Sequence, residues 1–568
     1  MLHSIHLTCY LLLRTTLFTY SADTSNSFLT AFYFSHSKIL NFAKELLRCD
    51  DKGLSHRKWS LRDINTSLCS LKATMEGIYL SSASYLLLAA LALIVLGVVG
   101  DKFLRNKKRR VLGKEAPGPK PWPVIGSLHL LGGYEIPYQA FDVLSDKYGP
   151  VFAIKLGQVQ CLVISNLKHI REVLFNKGDM FDGRPNFTRY HQLFGGDKEN
   201  SLAFCDWSET QKTRRDMLKD HAFPKVFTER FHQLNGIINI EMHEMCTQLK
   251  GGVVYIKPLM LRTVANIFMS YICSSRFPSD DPEYVKMVEN FDSIFYEVNQ
   301  GYAADFIPWL MPLLNGNLRK MSKWSKEIKD FIVGRIIQKR LDNWAAGQEA
   351  EDYVDALINH IKDPKATMSL ETALFALEDI IGGHSAIANL IVKVLGFVSQ
   401  APEVQEKIQK EIDYVSAGRE ITLEDRSSMP YTEATILEAV RHITSPIIPH
   451  VANQQCSLAG YTVEKDTLIF LNNYTLNMSP ELWSEPTKFM PDRFLNEDGK
   501  ISKPEHFLPF GGGRRSCMGY KLTQFISFVT LATLLQRFHL VPVETYKVPL
   551  GNLAISSKSK LQLNLIPR

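Results

Sequence analysis

The 568-residue sequence has nine cysteines, an odd and thinly spread set, and none of them forms a C-x-x-C pair. This excludes zinc-ribbon and thioredoxin-type readings, and the sparse cysteine usage fits a reducing compartment. No glycine loop of the Walker or dinucleotide type follows a strand-like run, so the chain carries no flavin or nicotinamide unit of its own. Internal repeats and low-complexity tracts are also missing. With 45% hydrophobic and 22% charged residues, disorder and collagen-like readings fall away. Excess charge is scarce where it would matter most. The formal net charge is +6, but residues 1–74 carry +4 and residues 75–114 carry +5, which leaves the rest near −3. The main body is therefore not a general polyanion binder.

What is present begins with an uncharged run of 23 residues, 78–100. At ~1.5 Å per residue it spans the ~30 Å of a bilayer core, which predicts a single transmembrane anchor. Lys102, Arg105, Lys107, Lys108, Arg109, Arg110 and Lys114 follow it. Basic flanks stay cytosolic, so the N-terminus is expected in the lumen and the long C-terminal body in the cytosol. Residues 101–126 form a basic collar and then a proline-rich strap, Ala116-Pro117-Gly118-Pro119-Lys120-Pro121-Trp122-Pro123. Alternate prolines disfavour helix and predict a stiff extended segment. Residues 1–74 show no periodic element and no good targeting signal, and the working protein is expected to begin at Met75. From 127 to 568 the pattern predicts one globular domain, mainly α with small β-sheets. Strand-like runs lie at 151–157, 161–165, 461–473 and 554–565, and helical periodicity dominates 205–445.

The strongest chemical signal is Phe510-Gly511-Gly512-Gly513-Arg514-Arg515-Ser516-Cys517-Met518-Gly519, followed by a long apolar-striped helix. Cys517 stands just before a helix N-terminus, where amides and the macrodipole favour a thiolate. The glycines allow backbone to approach a flat cofactor, and Arg515 can pair with a carboxylate. Thiolate for iron and guanidinium for propionate suit a haem.

This loop resembles the haem loop of the cytochrome P-450 superfamily, F-G-x-G-x-R-x-C-x-G, at all six defining positions. The resemblance implies a P-450 fold for residues 117–568 behind the anchor. It also implies haem b as cofactor, with Cys517 as axial iron ligand and Phe510, Gly511, Gly513, Arg515 and Gly519 around the group. Glu438-Ala439-Val440-Arg441 matches the family's E-x-x-R, and Pro491-Asp492-Arg493-Phe494 supplies the usual third member of that structural triad. Residues at i and i+3 share a helix face.

Two places depart from the family. The oxygen-activating helix usually reads (A/G)-G-x-(D/E)-T, whereas here it reads Gly382-Gly383-His384-Ser385-Ala386. The glycine pair is kept, but the acid and the threonine are lost. Alanine has no hydroxyl to hold a water. His384 and Ser385 are the candidate proton shuttles in their place. The family's W-x-x-x-R also fails, because Gln211 stands four residues after Trp207. Trp207 and Arg214, seven residues on, are the expected propionate neighbours, with His450 on the other side.

The stretch Ser445-Pro446-Ile447-Ile448-Pro449, together with Leu553-Ala554-Ile555, is apolar. By resemblance Ile447, Ile448, Leu553 and Ile555 line the substrate pocket, which implies a hydrophobic ligand. The haem-end segments are similar to the vertebrate steroid 17-hydroxylases. The whole pattern most resembles the insect spook/spookier group of ecdysteroid-synthesis enzymes. That implies a monooxygenase acting on a sterol early in ecdysteroid synthesis, in the endoplasmic reticulum membrane. NADPH electrons would come through a separate P-450 reductase, docked on a patch of Lys212, Arg214, Arg215, Lys219, Arg514 and Lys521. The lost acid–threonine pair keeps two other readings open. One is a haem-thiolate isomerase, dehydratase or peroxide user, and the other is a non-catalytic haem- or sterol-binding protein.

Overall fold

A computed structural model describes residues 114–568, apart from 135, 545–546 and 557–560. The expected extension 1–74, the anchor 78–100 and most of the basic collar lie outside the described residues. From 114 to 121 the strap forms no helix or strand. It docks through Ala153, whose N–H donates to the Pro117 carbonyl at 2.7 Å. Gly118 is required there, since a Cβ would sit 1.8 Å from the Ala153 oxygen.

The body is mainly helical with small sheets. The longer helices are α1 (Pro137–Tyr148), α2 (Glu209–Ala222), α3 (Glu229–Gln248), α4 (Ile256–Cys273), α5 (Pro282–Val298), α6 (Asn315–Ile332), α7 (Tyr353–Lys362), α8 (Leu370–Ser399), α9 (Pro402–Ser416), α10 (Pro430–Ile443) and α11 (Tyr520–Arg537). Strands β1 (Val151–Leu156), β2 (Val159–Ile164), β3 (Gly252–Tyr255), β4 (His450–Val451), β5 (Cys456–Leu458), β6 (Tyr461–Val463), β7 (Leu468–Leu471), β8 (Phe538–Pro542) and β9 (Gln562–Pro567) form two sheets and a hairpin. One sheet has the order β1-β2-β7-β4, with β2 and β7 parallel, and the second is β3-β9-β8. Strands β5 and β6 pair as the hairpin.

Helix α8 organises the core. Ser369 caps it by accepting the Thr372 N–H at 3.1 Å, which satisfies one of the free amides of the first turn. Its apolar residues recur on nearly every face, and a helix apolar all round must be enclosed. The helix is long and apolar enough to cross a membrane, yet 78% of its most apolar stretch is buried inside the protein. It packs along α4 and also meets α5, α10 and α11. A single apolar cluster joins these helices to α3 and α9.

The sequence-based strand at 554–565 is only partly realised. Strand β9 begins at Gln562, and Ala554 and Ile555 pair with no strand. The Ile555 backbone is engaged by side chains instead: its N–H donates to Asn389 Oδ1 at 3.0 Å, and its carbonyl accepts Lys257 Nζ at 2.6 Å.

Candidate active site

Cys517 lies between a one-turn 3-10 helix (Gly513–Arg515) and the N-terminus of α11. Its N–H donates to the Phe510 carbonyl at 2.9 Å, which closes the loop upon itself. The thiol is accessible although it lies deep in the protein, so it faces an internal space. Burial pushes its pKa up, while the Gly519 amide, Arg215 and the Tyr520 amide pull it down. These donors suit a sulfur that carries negative charge, as an iron ligand does. Two of the loop glycines also have a packing role. A Cβ on Gly513 (φ +62°) would lie 1.9 Å from the Leu174 carbonyl, and one on Gly512 would meet the Phe175 ring at 2.5 Å. They let the loop seat against the segment Glu172–Asn176.

Beside the loop three cations converge: Arg184, Arg515 and Arg215. Arg184 is buried and donates to the carbonyls of Ala203 (3.3 Å), Ile448 (3.3 Å) and Pro449 (3.2 Å). Arg515 donates through Nη2 to the carbonyls of Cys205 (2.7 Å) and Ala203 (3.3 Å), but its Nη1 is buried without a partner. Arg215 donates to the Ser516 carbonyl at 2.8 Å. Burial first, and the neighbouring Arg515 next, lower the pKa of both Arg184 and Arg215. His450 is fully enclosed, with Nδ1 2.6 Å from the Phe181 carbonyl. Burial and then Arg184 push its pKa well down, so it is neutral. None of the groups that perturb Arg184 is a carboxylate. Buried Arg184, with no carboxylate among the groups that perturb it, and the orphaned Arg515 nitrogen beside it call for a ligand that brings its own anions. The two propionates of a haem fit that requirement, and the accessible thiol fits its iron.

Two expectations change here. Arg214 does not join the cluster, because its guanidinium donates to the carbonyls of Asn200 (2.8 Å) and Glu199 (3.2 Å). The seven-residue spacing from Trp207 fails because Trp207 precedes the helix, which is capped by Ser208 and starts at Glu209. Trp207 itself lies under the Arg514 guanidinium, 5.2 Å from its ring centre. The residue that sequence reasoning missed is Arg184. Its only signal was a lone arginine in Asp182-Gly183-Arg184-Pro185. The suggested reductase patch is also thinner than expected. Arg214 is buried, Arg215 is bound to the loop, and Arg514 is paired with Asp182 at 3.1 Å.

The structural triad assembles fully. Arg441 holds Glu438 with two bonds and reaches the Asn477 carbonyl at 2.6 Å. Arg493 Nε meets Glu438 Oε1 at 3.1 Å, and the same oxygen accepts the Met490 N–H at 3.0 Å. The triad thus joins α10 to the turn Pro491–Phe494.

On α8, Asp379, Gly382, Gly383 and Ala386 form a partly exposed stripe at helical spacing within the otherwise buried stretch 373–396. Asp379 accepts Ser201 Oγ (2.8 Å) and the Leu202 N–H (2.6 Å), which fixes the turn whose Ala203 carbonyl takes both Arg184 and Arg515. His384 and Ser385 lie off this stripe and are fully buried. His384 Nδ1 is 2.6 Å from the Ile381 carbonyl, Nε2 is 3.3 Å from Ser385 Oγ, and the ring stands edge-on to Phe291. Burial pushes its pKa down to about 4. An imidazole that is fully buried and stays neutral is poorly placed as a shuttle near neutral pH, contrary to the expectation.

Of the expected pocket residues, Ile447 is half-buried, and its Cγ2 is 3.7 Å from the position a Gly511 Cβ would take. It therefore adjoins the cysteine loop. Ile448 contributes its carbonyl to Arg184. Leu553 is half-buried, but Ile555 is enclosed in the core.

Comparison with known proteins settles the family. Residues 116–563 match the family model described as Cytochrome P450. The chain belongs to the cytochrome P450 family. It is an oxidoreductase of the P450 monooxygenase type. It is 41% identical over 456 residues to Cytochrome P450 307a1 of Drosophila melanogaster, covering 75% of this chain and 84% of that one. This bears out the resemblance to the insect group. It is 30% identical over 490 residues to the steroid 17-alpha-hydroxylase/17,20 lyase of Oryzias latipes, covering 82% and 93%. It is 30% identical over 468 residues to Cytochrome P450 1A1 of Pleuronectes platessa, covering 77% and 87%.

Proposed function

We propose that this P450 oxidises a sterol-like substrate at an early step of ecdysteroid synthesis, in the endoplasmic reticulum membrane. In this reading it is anchored by 78–100 with residues 127–568 in the cytosol, and it takes NADPH electrons from a P450 reductase. The observation that carries the chemistry is the accessible, deeply placed Cys517 thiol with amide donors behind it and an orphaned Arg515 nitrogen beside it. The sterol class is supported by the similarity to a steroid hydroxylase and to the insect P450, and by the apolar 445–449 stretch.

Cys517 would hold the iron, and Arg184, Arg515 and Arg215 would hold the propionates, with neutral His450 alongside. When bound, the haem would supply O2 activation, and Cys517 would supply the thiolate that tunes it. The protein's own part is orientation. Asp379 fixes the 201–203 turn, and that turn holds Arg184 and Arg515 through its Ala203 carbonyl.

Ala386, which lacks the hydroxyl of the usual threonine, favours a second reading in which the enzyme is an isomerase, dehydratase or peroxide user. Incubating the protein with reductase, NADPH, labelled O2 and a sterol panel separates the two. Product carrying one labelled oxygen, formed only with reductase, is expected. Turnover without reductase overturns the monooxygenase reading in favour of the second. Tight sterol binding without turnover points to a non-catalytic protein.

A further inference from the structure

Positions 379, 382, 386, 389 and 393 of α8 follow one another by three or four residues, so they share one face of the helix. Asp379, Gly382 and Ala386 are partly exposed, whereas Asn389 and Lys393 are fully buried. Asn389 lies one turn past Ala386, about 4.5 Å along the axis. At that turn the face meets the loop 547–556, which forms no helix or strand.

Side chains hold this loop in place of strand partners. Lys393 donates to the Pro549 carbonyl, and to the Asn552 carbonyl at 2.6 Å. Asn389 Oδ1 accepts the Ile555 N–H at 3.0 Å, and Lys257 Nζ donates to the Ile555 carbonyl at 2.6 Å. Both backbone groups of Ile555 are thus taken by side chains, one from α8 and one from α4.

Helix α5 ties those two side chains together. Asp292 accepts Asn389 Nδ2 at 2.8 Å and pairs with Lys257 Nζ at 2.7 Å. Asn389 Nδ2 also donates to the Ser385 carbonyl at 2.8 Å. Carboxylates and carbonyls only accept and a backbone N–H only donates, so each bond sets the same orientation of the amide. A buried polar network with its members paired is rigid. The residue before Asp292 is Phe291, whose ring a Cβ on Gly382 would meet at 3.2 Å. The stretch of α5 that holds Asn389 therefore also packs on the glycine pair.

We propose that Asn389, backed by the Lys257–Asp292 ion pair, positions the 553–555 segment as the end wall of the ligand site and so sets the length of apolar ligand accepted. The three are positioning residues, and half-buried Leu553 is the side chain they place. This rests on the haem reading above, in which the glycine stretch of α8 borders the ligand, and not on the sterol class.

The test uses the full-length, haem-loaded protein and a series of 1-alkylimidazoles from butyl to dodecyl, whose binding is read from the change in haem absorption. In the wild type each added methylene should strengthen binding about fourfold until the tail meets the wall, and the gain should then stop. Asn389→Leu frees the Ile555 N–H and should move that break to longer chains. Relative to the short probes, chains two methylenes past the wild-type break should gain about tenfold in affinity. Lys257→Met combined with Asp292→Leu should move the break the same way. It replaces both charges at once, which buried pairs tolerate, and it carries the test if Asn389→Leu loads no haem. Gln405→Leu is the control for general loosening, since Gln405 of α9 holds both backbone groups of Leu540 in strand β8 in the same manner. It should lower the thermal midpoint and leave the break in place. The wall is overturned if the wild type shows no break, if the network variants keep the wild-type break, or if Gln405→Leu moves it as far as they do. In each of those cases the haem reading stands. If no probe changes the wild-type spectrum, the haem reading falls and takes the wall with it.

Discussion

Arg441 grips Glu438 with two parallel hydrogen bonds, Nε to Oε2 at 2.8 Å and Nη2 to Oε1 at 2.7 Å, and both side chains are fully buried. The remaining capacity of the carboxylate is taken by Arg493 and the Met490 amide. Removing one partner leaves a buried charge uncompensated, which costs about 3–5 kcal/mol. Glu438→Leu or Arg441→Leu should therefore lower the unfolding midpoint sharply and yield little haem-loaded protein. A variant with wild-type thermal stability and haem content would contradict this role.

The cation cluster makes a graded prediction. Arg184→Leu and Arg515→Leu should weaken haem retention about tenfold or more each, because hydrogen bonds to charged groups are worth about 1.5–3 kcal/mol. Arg214→Leu removes support for the Glu199 and Asn200 carbonyls, so it should lower stability without a matching rise in haem loss. Haem transfer to an excess of an apo-globin measures the rates. Faster loss from Arg214→Leu than from Arg184→Leu would reverse the assignment.

For His384 the geometry predicts little catalytic effect. With its pKa near 4 it stays neutral at working pH and packs on Phe291. His384→Phe should leave the ratio of product to NADPH consumed unchanged. Marked uncoupling would restore the histidine as a shuttle.

Lys393 gives a pH dependence. Its Nζ is enclosed and donates to the carbonyls of Pro549 and Asn552. Burial pushes its pKa down to about 7, from an ordinary 10.5. Between these values the unfolded chain keeps a proton that the folded chain has lost, so this contribution to stability rises with pH. Below about pH 7 both states are charged and the burial penalty is fully present. The thermal midpoint of wild type relative to Lys393→Met should therefore rise between about pH 7 and about pH 10. A flat difference would contradict the shifted pKa.

Much of the site was legible because its pieces are local. Cys517, its glycines and Arg515 occupy one loop, and Glu438 and Arg441 share one helix turn. Arg184 was not legible, because its role arises where segments near 184, 203–205 and 448–450 meet, and that meeting has no spacing signature. Arg214 was misread because a helical spacing was extended across the helix start at Glu209. Along a helix one residue turns about 100°, so Arg214 and its neighbour Arg215 face different partners. The 554–555 alternation looked like strand because both strands and enclosed loops bury apolar side chains. Only the side chains of Asn389 and Lys257, which capture the Ile555 backbone, distinguish the two.

The most direct test is the reduced-CO absorption spectrum of Cys517→Ala beside the wild type. The wild type should show the red-shifted band that marks thiolate-ligated haem, and the variant should lose it while retaining the fold. Retention of that band without the Cys517 sulfur would contradict the assignment of this residue as the iron ligand.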